Sequence, residues 1–585
     1  MNKNATDHMN IREIIYDTFK KYPDNIAYTI KNKGGKPTVA TTALDYPENI
    51  SESYTNIRVS DSVTDIEYIG TAMLTLGLKG KRIAIIGHNR YEWMAAYYAS
   101  VCGVGMVVPL DKGLPDDEIE NSLIISQADC LVFEASYLDS VNEIISRGKT
   151  NLSQLICMDE VEGITSISDM LKIGRDEMAA GNDEFLRLPI DNFGPSIMLF
   201  TSGTTSQAKA VMLSHRNIAS NIYGLTLHED FYPSDVNMAF LPYHHTFGST
   251  GQLLFFSHGG KTVFCDGIRH IQKNFEEYQV NVFFCVPLIN EALYKKILAA
   301  AEKKGALKKL RFGQKVSRLL LKFGIDKRDS LFKDVHEGLG TRLRILITGA
   351  SALNPEVASD LNDWGITSLQ GYGLTETSPV LCAEQPWNLV PGSVGKAMPN
   401  VEVQIDEPGE DGIGEIIARG PNVMLGYYNN EEDTNHVIKD GWFHTGDLGR
   451  LDKDGNLFIT GRSKNVIVLK NGKNIYPEEL ENKLSKLPYV SELMVLGYEK
   501  PNDLAVAVKI VVPESFDPQD EEFRARVWDD IKLQNQDLPT YKHIEYLELT
   551  HEPMVKTSTQ KVRRQIEIPA TMRAGNLEHI SQAKK

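Results

Sequence analysis

From residue 82 to residue 351 short apolar runs alternate with helical patterns, and this alternation restricts the fold more than any other feature. RIAIIG at 82–87 is followed by the helical pattern YEWMAAYYASVCGVG and then by MVVPL. Further apolar runs stand at 130–135, 154–159, 237–242, 262–265, 281–287 and 343–351. Strand–helix–strand order of this kind predicts a largely parallel sheet covered by helices. The chain before residue 82 reads as an amphipathic helix and a strand over 11–30, then a helix over 55–78 capped by Gly77 and Gly80. At 585 residues the chain exceeds one core and calls for two or three domains. After residue 400 the texture changes. VEVQI, GEIIARG, LGRLDKDGNLFITGR and KNVIVLK are short strands parted by Gly, Asp and Asn, which predicts a β-rich subdomain at about 395–460. A helix near 477–486, with Pro477 at its start and Glu478 and Glu479 in its first turn, opens a last α/β unit. The expectation is an α/β protein: a large N-terminal domain of layered α/β sheets over 1–460, including the β-rich subdomain, a boundary at 461–464, and a small α+β C-terminal domain over 465–585.

One loop within this frame is unusual. Ser196 to Phe200 is an apolar run, and Thr201, Ser202, Gly203, Thr204, Thr205 and Ser206 follow it before Lys209 and a second apolar run. With so little side-chain bulk, backbone N–H groups converge on one anion, hydroxyls add donors and Lys209 adds charge. The loop reads as a phosphate cradle, with a polar hairpin turn as its competitor. Neither common nucleotide loop is present. Before Gly260-Lys261-Thr262 the first Gly of a Walker A loop is replaced by Phe255, and after Gly103 and Gly105 the third Gly of a dinucleotide fingerprint is replaced by Val108.

A net charge of −16 argues against general nucleic-acid affinity. The six cysteines form no CxxC pair and several sit in apolar runs, as buried thiols of a reducing cytoplasm do. MNKNATDHMN at the start has no signal-peptide core, and no apolar run approaches the ~20 residues that span a bilayer. The sequons at Asn4, Asn49 and Asn151 therefore carry no meaning here. Residues 295–328 run against the overall charge, with twelve Lys or Arg, two acidic residues and Leu319, Leu320 and Leu321 interleaved. A solvated helical face is the default reading. A docking surface for anionic lipid, a peripheral membrane contact, or for an acidic protein is the alternative.

Five polar clusters punctuate the frame. In LPYHHTFG at 241–248 a strand ends and His244 and His245 follow, at the end of a strand where α/β sheets bind ligands. No Cys or acidic residue stands at ligand spacing, so zinc is rejected. In QGYGLTET at 370–377, Gly371 and Gly373 free the backbone around Tyr372, whose ring is placed to stack on a base. Thr375 has a donor for phosphate, and Glu376 is a lone carboxylate suited to Mg²⁺ shared with substrate phosphates. A capped helix N-terminus is the other reading. In GWFHTGDLG at 441–449, Asp447 is a candidate acceptor for two ribose hydroxyls, and Arg462 in GRSKNVIVLKNGKNIYPEELE completes that site. Lys464 falls at the boundary, and Lys561 follows a hydroxyl-rich turn in KTSTQKVRR.

In this order and at these separations the clusters and the opening loop resemble the adenylate-forming acyl-CoA synthetase superfamily, from about residue 10 to about 565. The helical segment 288–335, the RYEWMAAYYA helix and NGKNIYPEELE look most like bacterial long-chain fatty acid–CoA ligases. The resemblance implies ATP, Mg²⁺, CoA and a fatty acid as the reactants. It places Thr201 to Lys209 on the β- and γ-phosphates. Gly349, Ala350 and Ser351 line the adenine, with Gln370, Gly371, Tyr372 and Gly373 beside it. It puts Thr375 on the α-phosphate, Glu376 on Mg²⁺, Asp447 and Arg462 on the ribose, and His245 beside the acyl carboxylate. Lys561 becomes the adenylation lysine, Lys464 the hinge and Gly472 the border of a pantetheine tunnel. A mobile C-terminal domain then presents Lys561 in one orientation and the 470–474 loop in the other.

The family usually has Gly at Ser206, Pro at Ala208, Gly at Ala210 and Gly at Gln560, positions that set loop geometry more than donor chemistry. The alternatives are an acyl–acyl carrier protein ligase, another user of acyl-adenylates, and a degenerate nucleotide-binding protein. Retention of Lys209, Glu376, Asp447, Arg462 and Lys561 speaks against the last.

Overall fold

The computed structural model describes residues 5–201, 209–340, 343–469, 473–500, 504–556 and 562–580. These divide into two compact units. The first takes in the described residues of 1–201, 209–403 and 418–443, the second those of 404–417 and 444–585.

The first unit holds two large sheets. One has nine strands in the order Lys396–Ala397, Val380–Ala383, Thr367–Gly373, Ile345–Thr348, Val282–Cys285, Val236–Ala239, Lys261–Phe264, Ile26–Lys31 and Tyr54–Arg58. Its six inner strands, from Thr367–Gly373 to Ile26–Lys31, pair in parallel; the flanking pairs are antiparallel. The other has eight strands, of which Met106–Pro109, Arg82–Ile86, Cys130–Phe133 and Gln154–Cys157 are parallel neighbours. The α/β expectation is met. Strands such as Cys130–Phe133 and Val282–Cys285 are buried at every residue, as they must be in a sheet covered on both faces.

Tyr54–Arg58 corrects the expected helix start at 55. Its burial alternates, with Thr55 and Ile57 inside, so it is an edge strand and the helix begins at Val59. The helix Tyr91–Ala99 is buried at every residue, as a helix apolar on all sides requires. Its Tyr91 hydroxyl donates to Asp65 at 2.6 Å, and burial lifts the Asp65 carboxyl to about 6.

The segment 402–462 contains the short strands Glu402–Asp406, Gly414–Arg419, Ile438–Lys439, Trp442–Leu451 and Leu457–Arg462, the β-rich texture its sequence predicted. The second unit contains a four-stranded sheet, Glu492–Glu499, Leu504–Val511, Ile544–Thr550 and Glu578–His579. Val527, Trp528 and Ile531 of the helix Glu521–Gln536 pack into the same core as Val506, Val508 and Leu547. The helix foreseen near 477–486 spans Pro477–Leu484. No helix among the described residues is long and apolar enough to cross a membrane.

Candidate active site

Four neighbouring parallel strands, Val236–Ala239, Val282–Cys285, Ile345–Thr348 and Thr367–Gly373, end on one edge of the nine-stranded sheet. Most of the sequence-derived candidates of the first unit leave from that edge. His245 caps the helix Thr246–Ser257 shortly after the first of these strands. Gly349, Ala350 and Ser351 follow Thr348 directly, and Gln370 to Gly373 are the last residues of their strand. Parallel strands leave their C-terminal loops on a common crevice.

Three of these loops meet. A Cβ on Gly349 would stand 3.0 Å from the Phe247 ring and 3.6 Å from the Gly371 carbonyl oxygen. Ala350 is held at φ +72, a left-handed conformation that costs a residue with a Cβ about 1 kcal/mol or more. Gln370 pins the neighbouring turn twice. Its N–H donates to Glu384 Oε2 at 2.9 Å, and its side-chain oxygen accepts from Leu353 N–H at 3.1 Å. Burial pushes the Glu384 carboxyl up to about 7.

Tyr372 lies opposite Cys382 and Gly373 opposite Val380 in the antiparallel pair with Val380–Ala383. Gly373 has no room for a side chain, since a Cβ would fall 1.9 Å from the Pro379 carbonyl oxygen. Thr375 and Glu376 then form a short 3-10 turn, Thr375–Thr377, rather than a capped α-helix. The Leu374 N–H donates to Thr377 Oγ1 at 2.9 Å and the Thr377 N–H to Leu374 O, closing the turn before a helix can propagate.

Thr201 and Lys209 face each other in antiparallel register at the ends of Pro195–Thr201 and Lys209–Ser214. The sequence reading missed two residues here: Tyr427, which bridges Lys209 to Glu376, and Asp433, which pairs with Lys209. The Lys209 ammonium lies 4.7 Å from the centre of the Tyr427 ring, and the Tyr427 hydroxyl donates to Glu376 Oε1 at 3.0 Å. Burial, then Glu376 itself, raises the Tyr427 phenol well above its ordinary value, so the hydroxyl stays a donor. Asp433 takes the charge of Lys209, Oδ2 to Nζ 2.9 Å, and that contact holds the Asp433 carboxyl below its usual range. Tyr427 is placed by strand pairing with Val211. No spacing in GYYNNEED announces this; only the long-range pairing does.

The pair of histidines also departs from expectation. His244 is buried, its ring centre 4.3 Å from that of His245, and its Nε2 is 3.2 Å from Asp111 Oδ1. The acidic partner whose absence excluded a metal is therefore present, supplied from 133 positions earlier in the chain; these three residues have ligand atoms within 4.8 Å of one another. Sequence spacing could not reveal it, because Asp111 follows the strand Met106–Pro109 of the other sheet. Beside this turn Tyr243, Phe247, Gly251 and Phe284 help line a cavity of about 10 Å³, room for about one water molecule.

In the second unit Asp447 and Arg462 lie opposite each other in the hairpin Trp442–Leu451/Leu457–Arg462, with Arg462 Nε 2.9 Å from the buried Asp447 Oδ1. The sequence had paired these two for one role, and the strand register joins them. Lys464 sits exposed in the 3-10 turn Ser463–Asn465. Ser202, Gly203, Thr204, Thr205, Gly472 and Lys561 lie outside the described residues.

The chain belongs to the AMP-binding enzyme family: that family's model matches residues 38–428, and the model of the AMP-binding enzyme C-terminal domain matches residues 464–568. It is similar to the peroxisomal long chain acyl-CoA synthetase 7 of Arabidopsis thaliana, 28% identical over 79% of this chain and 69% of that protein. It is also similar to long-chain-fatty-acid–CoA ligase 5 of Mus musculus, 30% identical over 77% of this chain and 70% of the relative. Among solved structures, o-succinylbenzoate coenzyme A synthetase from Bacillus subtilis in complex with ATP and magnesium ion shares the fold, with a TM-score of 0.69 at 20% identity over 94% of this chain and 98% of that one.

Proposed function

We propose that this protein is an ATP-dependent ligase that converts a long-chain fatty acid to acyl-AMP with release of pyrophosphate, then transfers the acyl group to CoA. The observation that carries the reading is the line Lys209–Tyr427–Glu376, which ties the base of the hydroxyl-rich loop to the lone carboxylate at the sheet edge. Long-chain acyl-CoA ligases among the relatives set the substrate class.

The carboxylate of the acid attacks an α-phosphate already surrounded by negative charge, so the protein's task is positioning and neutralisation. Thr201, Ser202, Gly203, Thr204, Thr205 and Lys209 grip the β- and γ-phosphates. Lys209 is parked on Asp433 in a part-exposed ion pair worth under about 1 kcal/mol, which a triphosphate displaces readily. Glu376 fits Mg²⁺: one oxygen accepts from Tyr427, and the other has no protein partner among the described residues. When bound beside Glu376, Mg²⁺ would supply charge neutralisation. Gly349, Ala350, Ser351, Gln370, Gly371, Tyr372 and Gly373 receive the adenine, Thr375 the α-phosphate, and Asp447 with Arg462 the ribose. His245 orients the acyl carboxylate. The alkyl chain takes the apolar side of Tyr243, Phe247 and Phe284, whose rings must give way, at ~0.8 kcal/mol per methylene buried.

Lys561 serves the first step and the 470–474 loop with Gly472 the second, by rotation of residues 465–585 about 461–464 near Lys464. Water is excluded between the steps, since hydrolysis of the mixed anhydride would waste it. CoA is the acceptor we favour over acyl carrier protein. The six free thiols, five of them buried, suit a cytoplasmic setting, and the basic segment 295–328 suits peripheral contact with a membrane. The test is Lys561→Ala, read as pyrophosphate release with a panel of acids and as thioester formation from supplied acyl-AMP. The first should vanish and the second persist. Equal loss of both overturns the two-orientation scheme, and no CoA thioester from any acid overturns the ligase.

A further inference from the structure

The helix Leu307–Lys322 turns two unlike faces to its surroundings. Inward it buries Leu310, Gln314 and Ser317. Two arginines tether it, Arg311 to Asp360 at 2.6 Å and Arg318 to Asp363 at 2.5 Å, so their charge is spent on the fold. Outward, Lys308, Phe312, Lys315, Leu319, Lys322 and Phe323 follow at steps of three, four and one, a single stripe on a 3.6-residue helix. Phe312 is 69% exposed, Leu319 56% and Phe323 72%, and every residue from 321 to 327 is exposed. No ion pair engages Lys308, Lys315 or Lys322 among the described residues. The default reading of a solvated face does not fit, because a solvated face has no reason to hold two phenylalanines in water between lysines.

We propose that this stripe docks the protein on an anionic lipid bilayer, with Phe312, Leu319 and Phe323 entering the headgroup–acyl boundary and the three lysines reaching back to the phosphates. The pattern is that of a helix lying in a membrane interface, with apolar bodies down and long cationic side chains at the headgroup level. Charge argues for lipid and for one orientation. The segment 295–328 carries +10 (twelve basic, two acidic) within a chain of −16, so the remainder carries −26 and is repelled by the surface this stripe approaches. The inference rests on the membrane contact proposed above and gives it residues, a lipid charge and an orientation. It fits a ligase whose substrate acids partition into membranes, but does not depend on that activity.

The test is co-sedimentation of the full chain with vesicles of phosphatidylcholine, with and without phosphatidylglycerol. Binding is expected only with phosphatidylglycerol, weakening as salt rises. The triple substitution Phe312→Ser, Leu319→Ser, Phe323→Ser, and separately Lys308→Glu, Lys315→Glu, Lys322→Glu, should each lower binding at least tenfold. All six positions are exposed, so both variants should keep wild-type turnover of a short, water-soluble acid. Vesicle binding unchanged in both variants overturns the proposal. So does a stripe that binds an acidic carrier protein but not vesicles. Vesicle binding that behaves as expected in a protein that adenylates no acid would refute the ligase and leave the docking face standing.

Discussion

Replacing Glu384 by Gln should change the pH dependence of stability by an amount the structure sets. Glu384 is 8% exposed, and burial lifts its carboxyl from 4.5 to about 7. Between those values the folded chain holds a proton that the unfolded chain has lost. Stability therefore falls as pH rises through this window and levels off above about 7. At 1.36 kcal/mol per pH unit the whole loss is about 3 kcal/mol, of which about 2 kcal/mol falls between pH 5.5 and pH 8. Gln has the same shape and keeps an oxygen for the Gln370 N–H, but it has no proton to lose. The Glu384→Gln variant should accordingly gain about 2 kcal/mol relative to wild type as pH goes from 5.5 to 8. The assay is urea unfolding of both proteins at matched pH values, followed by tryptophan fluorescence, Trp93 and Trp364 being buried in the same unit. A constant difference, or one that shrinks as pH rises, would show that this carboxyl is not held neutral and refute the reasoning.

Tyr427→Phe removes a hydrogen bond to the charged Glu376, a loss of ~1.5–3 kcal/mol, and should raise the Mg²⁺·ATP concentration for half-maximal pyrophosphate release about 10- to 100-fold. An unchanged requirement would uncouple Glu376 from Mg²⁺. Gly373→Ala puts a methyl group within 1.9 Å of the Pro379 carbonyl oxygen, so it should abolish acyl-AMP formation even in protein that still binds nucleotide; wild-type rates would show that this turn does not shape the site. Asp111→Asn takes the carboxylate from buried His244 and should raise the KM for the acid several-fold while leaving that for ATP near wild type, and an equal rise in both would place the pair outside the acyl site.

Much of this protein was legible in one dimension because its signals are local. Alternating apolar runs and helices specify parallel strands wherever the chain folds, since only covered faces tolerate runs such as Cys130–Phe133. Loops after such strands open on one edge, which is why the cluster Gln370 to Thr377 could be singled out by type and place, whereas Gly349 to Ser351 came only from the family resemblance. Asp447 and Arg462 were within reach too, being opposite positions of one hairpin. The tertiary structure alone decided the rest. Asp111 meets His244 because strands of two different sheets end near each other, and Tyr427 reaches Lys209 and Glu376 because a distant strand pairs at Val211. The stripe on Leu307–Lys322 was ambiguous as sequence: its leucines and phenylalanines could have faced a core, and only folding showed Leu310 turned inward with Phe312 and Leu319 left in water. A sequence records which groups a residue carries and how its neighbours repeat. Which groups from remote stretches share a few ångströms, and which face of a helix is left uncovered, depends on how the whole chain packs.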